Sequence, residues 1–142
     1  MATVNIKKRL GEIVLRTQQY DKMIDFYENI IGLAKYTTYG YVNFYKISDD
    51  FEGHPQLLAI FKENHQGPGK PNFNGFDIQK SSLHHFAFAM EKEEFQKQKL
   101  ALEALGYDCK YSEFPALKWQ SIFIFDPDGN TVEFVSHNKN IK

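Results

Sequence analysis

A strand, a helix and a glycine recur at matched spacing in the two halves of this chain, and that repeat restricts the fold more than any other feature. Gly11-Glu12-Ile13-Val14-Leu15-Arg16 alternates its faces as a strand does. Tyr20 to Ile31 then reads as a helix, with Met23, Phe26, Tyr27, Ile30 and Ile31 on one face. Asp21 stands in its first turn, where negative charge suits the helix dipole, and Gly32 follows as a natural C-terminal cap. The second half begins the same way. Leu83 to Met90 reads as a strand, and Glu93 to Leu105 as a helix with Phe95, Leu102 and Leu105 on its apolar face, ended by Gly106.

After each glycine the sequence turns aromatic and β-rich. Tyr36–Tyr39, Tyr41–Ile47 and Leu57–Phe61 are the strands expected in the first half, and Tyr107–Tyr111, Trp119–Phe125 and Thr131–Val135 their counterparts. Each half therefore reads strand-helix-strand-strand-strand. A half of this length is marginal as an independent core, so the 142 residues are expected to form a single domain from modules of about 9–62 and 83–136. The connector, Glu63 to Ser82, carries Gly67, Pro68, Gly69, Pro71 and Gly75 and reads as a loop. The polar tail Asn138–Lys142 is expected to fray.

Strand alternation sorts side chains by face. Ile13 and Leu15, Phe86 and Phe88, and Val132 and Phe134 are the pairs suited to cover the helices. That leaves Glu12, His85 and Glu133 on the opposite face of their strands. Each alone has an ordinary reading: an exposed carboxylate, a hydrogen-bonded structural histidine, an ion-paired glutamate. Together, two carboxylates and an imidazole on one surface point to a site, because buried charge is costly unless paired or metal-bound. His84 faces the other way and is expected to bond locally or reach solvent.

Three segments carry a family resemblance. They are Leu10 to Arg16 with Asp25-Phe26-Tyr27 and Ile31-Gly32-Leu33; Leu83-His84-His85-Phe86-Ala87-Phe88; and Phe125-Asp126-Pro127-Asp128-Gly129-Asn130 followed by Thr131-Val132-Glu133-Phe134. Together these resemble the vicinal oxygen chelate superfamily, which contains glyoxalases, bleomycin-resistance proteins and extradiol dioxygenases. The last segment also has a plain physical role: Pro127, Gly129 and the Asp and Asn side chains suit a tight turn.

The resemblance implies an α+β fold of two βαβββ modules in tandem, forming a cupped, open mixed-sheet barrel with helices outside. It also implies a divalent metal (Mn, Ni, Fe, Co, Mg or Zn) held by Glu12, His85 and Glu133. Glu133 or Glu12 would double as the proton-transfer base. Two carboxylates and one nitrogen favour the harder ions of that set. The sequence departs from the family at two points. His or Gln is usual where Glu12 stands, and Ala59 occupies the position equivalent to Glu133 in the first half, with Gln56 nearby but out of register.

Two functions follow from the resemblance. One is a metal-dependent lyase or isomerase of the glyoxalase type, acting on a small 2-oxo compound, thiol adduct or acyl thioester. The other is a metal-free binding protein of the bleomycin-resistance kind, stacking a ligand on Tyr39, Tyr41, Phe44, Tyr45, Phe114 or Trp119, each of which also suits a core. An extradiol dioxygenase fits less well, since it wants two histidines and one carboxylate. The partner expected is a small molecule, with a homodimer open. A net charge of -1 gives no case for nucleic acid or an anionic membrane. A polar N-terminus, no long apolar run and a lone Cys109 make the cytoplasm the expected compartment.

Overall fold

The structure is a computed structural model that describes residue 6 and residues 8–40, 42–51, 53–64 and 82–142, the side chains of residues 50 and 51 excepted. Tyr41 and most of the glycine- and proline-rich connector lie outside the described residues. Two compact units, Met1–Gly75 and Phe76–Lys142, correspond to the two halves of the repeat.

The first unit runs β1 (Glu12–Thr17), α1 (Tyr20–Asp25), a π-helical turn (Phe26–Ile30), β2 (Ala34–Tyr39), β3 (Val42–Phe51) and β4 (His54–Lys62). Its sheet has the order β1-β4-β3-β2, with β1 parallel to β4 and the other pairs antiparallel. The second unit runs β5 (His85–Ala89), α2 (Lys92–Ala104), β6 (Lys110–Phe114), a short 3-10 turn (Pro115–Leu117), β7 (Trp119–Phe125) and β8 (Thr131–His137). Its sheet has the order β5-β8-β7-β6, again with one parallel pair, β5 with β8. Both units are thus βαβββ modules with one strand order, the α+β architecture that the repeat predicts. Among the described residues no helix is long and apolar enough to cross a membrane.

The glycines end the two helices by related devices. At Gly106 (φ 86°) the Tyr107 amide donates to the Leu102 carbonyl and the Gly106 amide to the Glu103 carbonyl, which is a Schellman cap. At Gly32 (φ 84°) the helix has already widened: the Ile31 amide donates five residues back to Phe26, and Leu33 donates to Tyr27. A π turn of this kind rotates later side chains off the stripe set by a 3.6-residue period. Met23, Phe26 and Tyr27 are buried as the periodicity predicts, whereas Ile30 and Ile31 are only half-buried.

Three other expectations are corrected. Leu105 is exposed rather than on the apolar face of α2, because the helix stops at Ala104 and Leu105 is its cap. The strand expected over Tyr107–Tyr111 starts at Lys110, three residues later, since the cap occupies the intervening chain. The tail does not fray: Ile141 is buried, the Asn138 amide donates to the Lys118 carbonyl, and the Lys118 ammonium donates to the Ile141 carbonyl.

The buried layer of the second module lies between its sheet and α2. Phe86 and Phe88 of β5, Val132 and Phe134 of β8, and Ile122 and Ile124 of β7 are all buried, as are Phe95 and Leu102 of α2. Phe88 and Phe134 stack with ring centroids 5.7 Å apart. Truncating a fully buried phenylalanine removes its apolar contacts and leaves a cavity. Phe134→Ala should therefore lose about 3–5 kcal/mol in urea denaturation. Leu100→Ala, at an exposed position of α2, should stay within about 0.5 kcal/mol of wild type.

Candidate functional site

The helix side of the second sheet is apolar apart from the hydrogen-bonded pair Gln120 and Ser136, and strand alternation leaves the ionisable groups of β5 and β8 on its other side. The β5–β8 register pairs His85 with Thr131 and Ala87 with Glu133, and the β7–β8 register sets Phe123 beside Glu133 and Ser121 beside Val135. His85, Thr131, Glu133, Ser121, Phe123 and Phe125 consequently share one face. Trp119 and Phe114, paired across β6 and β7, extend it. Trp119, Phe114 and Phe125 are exposed there, while Glu133 and Ser121 are buried.

On that face, toward the β5 edge of the sheet, His85 Nε2 lies 2.9 Å from Glu133 Oε2. The other carboxylate oxygen, Oε1, accepts a hydrogen bond from the Ser121 hydroxyl at 2.7 Å. His85 Nδ1 lies 2.8 Å from His84 Nδ1, so one of those two nitrogens donates and the other accepts. With Nε2 donating to the carboxylate, Nδ1 of a neutral His85 is the acceptor and His84 carries the shared proton. His84, exposed as expected, thereby fixes the ring from one end while Glu133 fixes it from the other. The Phe123 ring stands edge-on to His85, with centroids 6.0 Å apart.

The three residues singled out in the sequence all stand on the strand face assigned to them. His85 and Glu133 are brought together in the second module. Glu12 belongs to the first, exposed on β1 beside Val14 and Arg16 and across from Leu57 of β4. The first module also shows what stands in place of a second Glu133. Its β1–β4 register pairs Val14 with Ala59 as β5–β8 pairs Ala87 with Glu133, so fully buried Ala59 is the structural counterpart of the glutamate. Among the described residues no group of three or more His, Cys, Asp and Glu side chains is gathered at metal-binding spacing.

The pair by itself fits a divalent ion. Two ligands about 2.1 Å from one ion and at right angles to each other are about 3.0 Å apart, close to the separation found here. An imidazole nitrogen and a buried carboxylate oxygen are also the donor types such ions take.

The aromatic residues divide. Tyr45 lies on the helix side of β3 and is fully buried. Its hydroxyl donates to Glu28 Oε2 at 3.0 Å and accepts from the Asn43 amide at 3.4 Å, and burial pushes its pKa upward. It is a core residue and not a stacking platform. Tyr39, Phe114 and Trp119 are exposed, and Phe44 is half-buried. Sequence reasoning missed Ser121. Its signal was a serine inside the apolar run Trp119–Phe125, a buried hydroxyl that needs a partner.

The Asp126–Asn130 turn that precedes β8 is held by the Asp126 side chain together with two backbone bonds, Asp126 amide to Asn130 carbonyl and Gly129 amide to Asp126 carbonyl. Asp126 is buried, its Oδ1 accepts from the amides of Asp128 and Asn130, and its Oδ2 accepts from the Asn130 side chain. Gly129 supplies the positive φ (84°) that the turn needs.

Residues 9–134 match the family described as the Glyoxalase/Bleomycin resistance protein/Dioxygenase superfamily. A crystal structure of lactoylglutathione lyase from Agrobacterium tumefaciens is similar at 24% identity, with 93% of this chain and 96% of that one covered and a TM-score of 0.69. A mutant of the genomically encoded fosfomycin resistance protein FosX from Listeria monocytogenes is similar at 20% identity, covering 94% of each chain with a TM-score of 0.65. It was crystallised with Mn(II) and 1S,2S-dihydroxypropylphosphonic acid. A glyoxalase/bleomycin resistance protein/dioxygenase from Nocardioides is similar at 17% identity, covering 97% of this chain and 88% of that one with a TM-score of 0.66. At these identities the likeness speaks to the fold. Comparison with curated proteins gives no match.

Replacing Asp126 with alanine strips three acceptor contacts from a buried turn that leads into β8. Asp126→Ala should lower stability by about 2–3 kcal/mol, measured by chemical denaturation. It should also blunt any ligand-induced rise in melting temperature, because Glu133 sits two residues into that strand.

Proposed function

Since the chain belongs to the glyoxalase/bleomycin resistance protein/dioxygenase superfamily, we propose that it is a metal-dependent lyase or isomerase of the glyoxalase type. Its substrate in this reading is a small molecule with two neighbouring oxygens: a 2-oxo compound, a thiol adduct or an acyl thioester. The observation that carries the reading is the His85–Glu133 pair, a nitrogen and a buried carboxylate at cis-ligand spacing on the polar face of the sheet.

His85 and Glu133 are the ligands proposed for the ion, one of Mn, Ni, Fe, Co, Mg or Zn, with Glu12 as a third donor. A bound divalent ion supplies electrophilic polarisation of two adjacent substrate oxygens. Glu133 is suited to holding, since Ser121 anchors Oε1 and leaves Oε2 turned toward His85 at ligand spacing. Glu12, exposed on its strand, is suited to moving a proton between carbon and oxygen of the substrate. The FosX variant, crystallised with Mn(II) and a vicinal diol, lends the reading support on the same fold.

One observation favours a second reading. Trp119, Phe114 and Phe125 expose large aromatic surface on the face that carries the pair, and such surface can stack an aromatic or cationic ligand. In that case the protein binds a small molecule without turning it over.

Metal linkage separates the two. A ligand of the native state raises its stability by mass action. Chelator-treated protein should melt higher once Mn, Ni, Co, Mg or Zn is added, and His85→Ala and Glu133→Ala should each abolish the rise. Glu12→Ala should reduce it by about the 1–2 kcal/mol that a tenfold weaker site represents. If no ion shifts the wild type and none co-purifies, the metal-free binding reading takes over.

A further inference from the structure

We propose that Ser121 sets how Glu133 presents its carboxylate, and thereby which class of divalent ion the pair accepts. The inference rests on the metal reading above and deepens it. Ser121 is fully buried on β7, and its hydroxyl donates to Glu133 Oε1 at 2.7 Å. Oε2 alone is turned to His85 Nε2, 2.9 Å away. The two carboxylate oxygens are therefore divided between two tasks. Turning both toward one ion would break a short, charge-assisted bond in a buried place, where no water replaces the lost donor.

The imidazole is restricted in the same way. His84 Nδ1 lies 2.8 Å from His85 Nδ1 and can accept the ring's one proton there when Nε2 is deprotonated to ligate, which leaves Nε2 as the atom directed at Glu133. The pair consequently offers one nitrogen and one oxygen, a monodentate set. Small octahedral ions accept such a set at about 2.0–2.2 Å. Calcium prefers six to eight oxygens at about 2.3–2.6 Å and frequently takes carboxylates through both atoms. Ser121 thus acts as a positioning residue that disfavours calcium without touching the ion.

Calorimetric titration of the metal-stripped protein with MnCl2 and, separately, with CaCl2 tests this. Ser121→Ala should weaken Mn(II) binding about tenfold, within the range that loss of such a supporting bond produces. Calcium affinity should hold or rise, so the manganese-to-calcium ratio falls by at least the same factor. Ser121→Thr, which keeps the hydroxyl, should retain the wild-type ratio, with thermal melting confirming that both variants fold. An unchanged ratio in Ser121→Ala overturns the inference while leaving the metal site standing, whether both affinities drop together or neither moves. So does a Ser121→Thr variant that behaves like Ser121→Ala. A wild-type protein that binds neither ion removes the metal reading itself, and this inference with it.

Discussion

A carboxylate in the interior of a sheet governs the second module. Glu133 lies on β8, which has β5 on one side and β7 on the other, and it is 8% exposed. Withdrawing an ionised carboxylate from water costs several kcal/mol unless partners replace the lost solvation. Ser121 from β7 and His85 from β5 are those partners. Both reach Glu133 across strand neighbours whose register is set elsewhere, by the packing of Phe86, Phe88, Val132 and Phe134 on the opposite face. A one-residue slip of β8 would turn Glu133 into the apolar layer. The hydrophobic side of the sheet therefore fixes the polar side.

The two modules share an architecture and differ in chemistry. In the first, the position equivalent to Glu133 is Ala59, and a buried polar chain lies on the helix side. There Thr38, Asn43, Tyr45 and Glu28 form a hydrogen-bonded chain. The π-helical turn contains Glu28, the residue that accepts from Tyr45. Among the described residues no buried side-chain nitrogen or oxygen lacks a partner, so each module satisfies its own buried polar groups by its own route.

Much of the fold was legible in the sequence because it follows from local chemistry. Period-two alternation in Glu12–Arg16, Leu83–Met90 and Thr131–Val135 gave the faces, and these survive in the burial of Leu15, Phe86, Phe88, Val132 and Phe134. Gly32, Gly106 and Gly129 marked caps and a turn, and all three hold the positive φ that glycine tolerates. Some errors were local, at the π turn Phe26–Ile30 and the cap after Ala104, and the others lie where a long-range contact decides. Asn138–Lys142 looks free until Ile141 is buried and Lys118 bonds its carbonyl. Tyr45 looks like a stacking residue until β3 turns it toward Glu28.

The candidate site divides along the same line. Residue type and strand parity determined that Glu12, His85 and Glu133 would avoid the helix-packed faces, because alternation is a property of each strand alone. Only the tertiary structure decided that Ser121 would hold one oxygen of Glu133 and His85 the other. Sheet order and register bring residues 12 and 48 positions apart in sequence to within 2.7 and 2.9 Å of a single carboxylate. Spacing along the chain does not encode those distances, since they depend on which strands become neighbours, and that is settled by the shared burial of the apolar face.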